Sequence, residues 1–160
     1  MDGLLGIGCN PNAANLNGKP LLLAIDRCNL EIVKLLLKHN ANPNPLNDKG
    51  YTPLYLAVTK GHIKIVKELL NNGAEVDKKV FGVTPFSKAM MENQINIAKI
   101  LLKHGADVDS HLLEYRTSLH DAASDGSLEN VEFLLEHNAN INAVNFYKDT
   151  PLHLAAENAQ

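Results

Sequence analysis

Seven histidines and two cysteines are the residues of this 160-residue chain most able to bind a metal or move a proton. No histidine and cysteine stand at the paired spacing of a zinc site, so no metal is expected. His39, His104 and His137 each stand fifteen residues after an alanine (Ala24, Ala89 and Ala122). Each also precedes a residue suited to closing a helix, where a donor or cation beside the last carbonyls is favoured. His120 and Asp121 are sequence neighbours, but adjacent residues on a helix point in different directions. Cys28 has no nearby base in the sequence, so no catalytic thiol is expected. A Gly-rich phosphate loop, a nucleophile elbow and a carboxylate pair with a partner base are all missing. The sequence therefore predicts a protein that is not an enzyme and takes no cofactor.

The elements that would position these residues emerge from composition and spacing. Apolar residues make up 45% and charged residues 21%, the balance of a soluble globular chain. A net charge of -3 lacks the basic footprint of a nucleic-acid binder, and no nucleic-acid partner is expected. The longest apolar runs, such as Leu21-Leu22-Leu23-Ala24-Ile25, are too short to span a bilayer. No membrane contact is expected of this segment, and its N-terminus lacks the basic-then-apolar order of a secretory signal. Cys9 and Cys28 cannot form a disulfide framework, which suits reduced thiols in the cytoplasm or nucleus.

Ala24, Ala57, Ala89, Ala122 and Ala155 are separated by 33, 32, 33 and 33 residues. Nine residues after the first four come Val33, Val66, Ala98 and Val131, followed by the pairs Leu36-Leu37, Leu69-Leu70, Leu101-Leu102 and Leu134-Leu135. Seventeen residues after the same anchors come Ala41, Ala74, Ala106 and Ala139. Agreement at several offsets marks a repeat architecture. Pro20, Pro53, Pro85 and Pro151 stand four residues before their anchors, with Ser118 in the fourth copy. Thr52, Thr84, Thr117 and Thr150 precede that position, and Thr followed by Pro opens a helix. A second helix follows from the i, i+3, i+4 spacing of Ile32, Val33, Leu36 and Leu37. Asn40, Gly73, Gly105 and Asn138 close these helices, being residues that readily turn left-handed.

The motifs Gly50-Tyr51-Thr52-Pro53-Leu54, Lys60-Gly61-His62-Ile63, Gly73-Ala74-Glu75-Val76-Asp77, Gly105-Ala106-Asp107-Val108-Asp109 and Thr150-Pro151-Leu152-His153-Leu154-Ala155-Ala156 resemble those of the ankyrin repeat family. The resemblance covers essentially the whole chain. It implies an all-α ankyrin-repeat solenoid of stacked helix-turn-helix units with short hairpin loops. The copies divide into a half repeat at 1–13, repeats at about 14–46, 47–78, 79–111 and 112–144, and a half repeat at 145–160. Half repeats at both ends suggest a piece of a longer protein, with a natural short protein carrying degenerate caps as the alternative. Leu152, Leu154 and Ala155 are then expected to expose apolar surface. The resemblance gives His120 and His153 a structural role on the adjacent loop and matches His62 to the Gly-His turn, leaving His111 alone without a repeat-based reason. It also places Asn44 and Asn142 where an asparaginyl hydroxylase acts in animal ankyrin repeats, although hairpin hydrogen bonding is a rival reason for an asparagine there.

Uniform positions build the scaffold, so departures must carry any specificity. The step from Asp77 to Pro85 is one residue shorter than that from Asn44 to Pro53. Tyr115 replaces the usual glycine, Ser118 the proline, and in the first repeat Asn17 and Lys19 replace glycine and threonine, weakening its N-cap. Tyr51, Phe81, Tyr115, Phe146 and Tyr147 all fall in inter-repeat loops, with Val80, Val83, Leu112 and Leu113 as apolar neighbours. Aromatics at such tips suit partner contacts. By resemblance, partners bind the tips and the exposed side of the first helices, which line a concave groove. The candidate binding residues are therefore Tyr51, Thr59, Val80, Phe81, Val83, Met91, Leu113, Tyr115, Arg116, Asp125, Phe146 and Tyr147. The leading function is a scaffold that binds another protein or a peptide segment. A regulatory or mechanical arm of a larger enzyme or ion channel, and a bacterial effector acting on host proteins, stay open beside it.

Overall fold

The computed structural model describes residues 8–13 and 19–158. Residues 1–7 of the expected N-terminal half repeat and the substitution at Asn17 lie outside these residues. Among the described residues are nine helices: α1 Pro20–Asp26, α2 Leu30–Lys38, α3 Pro53–Thr59, α4 Ile63–Asn71, α5 Pro85–Met91, α6 Ile95–Lys103, α7 Ser118–Ser124, α8 Leu128–Glu136 and α9 Pro151–Asn158. A 3-10 turn, Leu113–Tyr115, precedes α7. The chain forms two compact units, residues 1–80 and 81–160.

The first helices are short because their start and stop are both written locally. Thr52 Oγ1 accepts the Tyr55 N–H at 3.1 Å, and Thr84 Oγ1 accepts that of Ser87 at 3.1 Å. Proline follows each cap, where its missing donor costs nothing. Lys19 offers α1 no side-chain cap, as its departure from threonine predicts. Cys28, Gly61, Asn93 and Gly126, all four residues after their anchor alanines, take positive φ and end the first helices. Asn40, Gly73, Gly105 and Asn138 likewise take positive φ after the second helices.

Within residues 1–80, α1 packs on α2 and α3, and α4 packs on α2 and α3. Leu21, Ile25, Val33, Leu54, Val58, Ile65 and Leu69 fill its core. Within residues 81–160, α5 packs on α6 and α7, and α7 on α8 and α9. Phe86, Ile97, Leu101, Leu119 and Leu134 are buried there. Burying each such side chain contributes about 1.5–3 kcal/mol. Side-chain bonds lock successive repeats in register. Asn44 Oδ1 accepts from the Glu75 N–H at 2.9 Å while its Nδ2 donates to the Gly73 carbonyl at 3.0 Å. Asp109 Oδ1 accepts from Asn140 N–H at 2.9 Å at the equivalent position two repeats further on.

The C-terminal helix corrects one expectation. Leu154 is only 7% exposed, because it lies on the face that α9 packs against α7. Leu152 is exposed as expected and borders a groove of about 620 Å³ lined also by Leu128, Leu135 and Ile141.

Candidate functional site: the hairpin tips

In residues 81–160 three loop tips meet. Phe81 and Gly82 both take positive φ, of 50° and 83°, which reverses the chain in two residues. A Cβ added at Gly82 would lie 3.2 Å from Leu113 Cδ2, so the glycine is what lets the Leu113 side chain lie over this turn. Glu114 and Tyr115 also take positive φ, 57° and 58°. The next tip joins through main chain: Phe146 N–H donates to the Glu114 carbonyl at 2.8 Å. Asn145, itself buried, holds that tip by accepting the Tyr147 and Asp149 N–H groups at 2.9 Å each.

Along this strip Phe81 is 73% exposed and Tyr115 60% exposed, and Leu113, Phe146 and Tyr147 are exposed too. Phe146 and Tyr147 meet edge to face at 5.4 Å, and His111 lies edge-on to Tyr115 at 5.7 Å. His111, without a reason in the repeat pattern, thus stands in the same strip. Val83 is half-buried beside it.

Arg116 is half-buried and committed to Asp121, with Nε and Nη2 each 2.7 Å from Oδ1. Met91 and Asp125, both exposed, line a cleft of about 290 Å³ between α5 and α7 with Ser118, Asp121 and Asn130. The structure therefore gathers Phe81, Leu113, Tyr115, Phe146 and Tyr147 on the tips, and Met91 with Asp125 at the first helices.

The candidates in residues 1–80 divide differently. Tyr51 is half-buried, its ring stacked 5.6 Å from that of Tyr55. Thr59 is exposed and donates its hydroxyl to the Tyr55 carbonyl at 2.9 Å. Val80 is 3% exposed and cannot present a surface to a partner. Val80 is the last residue before the left-handed Phe81-Gly82 reversal, and its side chain enters the core while that of Phe81 is left exposed. Its burial corrects the expectation that Val80 adds apolar surface to this loop and binds a partner.

Cys28 also corrects the sequence reading, because it does have a base beside it. Its Sγ lies 3.4 Å from His62 Nδ1, across the stack in the next repeat. The two occupy adjacent offsets, four residues after Ala24 and five after Ala57. Burial, followed by the charge of Lys60, holds the His62 imidazole below its ordinary value, with Asp26 opposing. Lys60 Nζ pairs with Asp26 Oδ1 at 3.0 Å. The remaining histidines are structural where their bonds are seen. Nδ1 of His104 and of His137 lies 2.8 Å from the Ile100 and Phe133 carbonyls. His120 Nδ1 accepts the Thr117 N–H at 3.1 Å, which leaves Nε2 to donate to the Asp149 carbonyl at 3.0 Å. Among the described residues no three His, Cys, Asp or Glu side chains gather around a common metal position. No helix among them is long and apolar enough to cross a membrane.

Paired helices, three of the first helices opened by Thr-Pro and the second helices ended by a left-handed Gly or Asn, joined by short tips, define an all-α repeat protein. The family model for ankyrin repeats, in a three-copy form, matches residues 2–80 and 86–160. The chain belongs to the ankyrin repeat family, whose members are generally protein–protein interaction modules and typically not enzymes. A search of curated proteins returns no match.

Proposed function

We propose that this chain is a binding scaffold that captures a partner protein or peptide segment through its hairpin tips and exposed first-helix positions. The observation that supports it is the continuous strip Phe81–Leu113–Tyr115–Phe146–Tyr147 within residues 81–160. Exposed single apolar residues are ordinary, but several large ones on backbone held by hydrogen bonds are not. Aromatic side chains bring large contact area at low entropic cost, which is why they dominate binding hot spots. The cleft at Met91 and Asp125 would add a mixed apolar and acidic contact, suited to a partner with some basic character. An intracellular location, cytoplasmic or nuclear, belongs to the same proposal, since the free thiols Cys9 and Cys28 suit a reducing compartment.

Selection of peptides from a displayed random library on the immobilised chain tests this reading. Peptides so obtained should lose at least about tenfold in affinity, or 1.4 kcal/mol, on Phe81→Ala with Tyr115→Ala. The helical circular dichroism should stay intact. Selected peptides that bind the double variant as tightly as the native chain would sink the strip as the contact surface.

A further inference from the structure

We propose that Cys28 and His62 form a thiol-modification site that exchanges with small-molecule disulfides. Three observations carry it. Cys28 Sγ is exposed and 3.4 Å from His62 Nδ1. The two turns that hold them are fixed by main-chain bonds, Cys28 N–H to the Ile25 carbonyl and His62 N–H to the Ala57 carbonyl, each 2.9 Å. The other ring nitrogen, Nε2, is buried without a hydrogen-bond partner among the described residues, so Nδ1 is the nitrogen left to work on the thiol. The pair is also particular to this step of the stack. Gly61, Asn93 and Gly126 stand where Cys28 does, and Asn29, Gln94 and Ser127 where His62 does. Cys28 thus takes a φ of 53° in a turn position that suits glycine better, and keeps a side chain there.

The chemistry balances without any further reactant. The Cys28 thiol passes its proton to His62 Nδ1, and the sulfur attacks one sulfur of the incoming disulfide. The S–S bond breaks and its electron pair leaves on the other sulfur, which takes the proton back from His62 and departs as a thiol. Cys28 is oxidised to a mixed disulfide and half of the reagent is reduced. A neutral imidazole is required at the start, which burial favours; the same burial disfavours the charged ring, so His62 holds the proton only until the leaving sulfur takes it. The charged groups facing His62 are Lys60 and Asp26, which are paired with each other at 3.0 Å. A mixed disulfide here would sit beside that ion pair on the first-helix ends.

Cys9 is an internal reference, since it is exposed and has no such base among the described residues. The intact reduced chain is treated with oxidised glutathione between pH 5 and 9, and adduct growth at each cysteine is followed by peptide mass spectrometry. Cys28 should react about tenfold faster than Cys9, a modest gain beside the 10²–10⁴ of positioned enzymatic bases. His62→Gln should bring Cys28 down to the Cys9 rate with the Cys9 rate unchanged. Equal rates in the native chain, or a Cys28 rate unmoved by His62→Gln, overturn the proposal. Should the variant unfold, both cysteines would speed up together. The native ratio then decides: a Cys28 advantage that shrinks as His62 protonates sustains the site, and one flat with pH overturns it.

Discussion

The main-chain N–H of Phe146 donates to the carbonyl of Glu114 at 2.8 Å, tying two aromatic tips to each other through backbone rather than through their rings. The side chain that makes this geometry available is Asn145, whose Oδ1 takes two N–H groups of its own loop. Asn145→Ala should remove both bonds at a part-buried position and cost about 1 kcal/mol. Hydrogen exchange over residues 145–149 should quicken while exchange in α5 and α6 stays slow. Unchanged protection of the tip would show that Asn145 does not hold it.

Tyr115 sets binding against stability. Its φ of 58° is left-handed, which costs an L-residue about 1–2 kcal/mol, and its ring is mostly exposed and recovers little by burial. Tyr115→Gly should therefore raise stability by about 0.5–1 kcal/mol after the extra freedom glycine gains in the unfolded chain. The same change should weaken capture of any peptide selected on the native chain. Denaturant titration and peptide affinity measured on one preparation separate the two effects. A variant that gains stability and keeps its affinity would remove Tyr115 from the contact surface.

The anchors that repeat every 32 or 33 residues made the helices legible, because each cap, proline and leucine pair acts within one repeat. Thr52, Thr84, Gly73 and Gly105 all do what their residue types dictate. What the sequence hid depends on stacking one repeat on the next. Cys28 and His62 are 34 residues apart, yet their offsets differ by one, and consecutive offsets in neighbouring repeats come together. Reading down the stack would have found the base that reading along the chain missed. Val80 failed for another reason: its exposure turns on which side of a two-residue reversal it falls, and the shortened loop alone does not say. Leu113 over Gly82 was illegible too, since that contact needs the lengths of two loops at once.

His120 links a helix start to the following tip. It is 0% exposed, its Nδ1 accepts from the Thr117 N–H and its Nε2 donates to the Asp149 carbonyl. His120→Ala would remove both bonds and open a cavity, at an expected cost of about 2–4 kcal/mol. His153 makes the matching Nδ1 contacts with Thr150, at 3.2 and 2.8 Å, from an exposed position. His153→Ala should cost under about 1 kcal/mol, because water replaces the lost bonds. Urea midpoints for the two variants check this, and equal losses would contradict the role given to burial.

His62 makes a prediction about acid. Burial first, then Lys60, depresses its folded pKa below the unfolded 6.5 against a smaller pull from Asp26. The unfolded chain then binds the proton more readily, so this group's contribution to stability is complete above pH 6.5 and is lost as pH falls from there through the folded value. Urea midpoints at pH 7.5 and 5.5 should fall further apart for the native chain than for His62→Gln, which has no proton to take up. Lys60→Gln should reduce the difference in part, since it removes the second cause and leaves burial in place. Identical pH responses in the native chain and His62→Gln would mean that the imidazole beside Cys28 titrates as freely folded as unfolded.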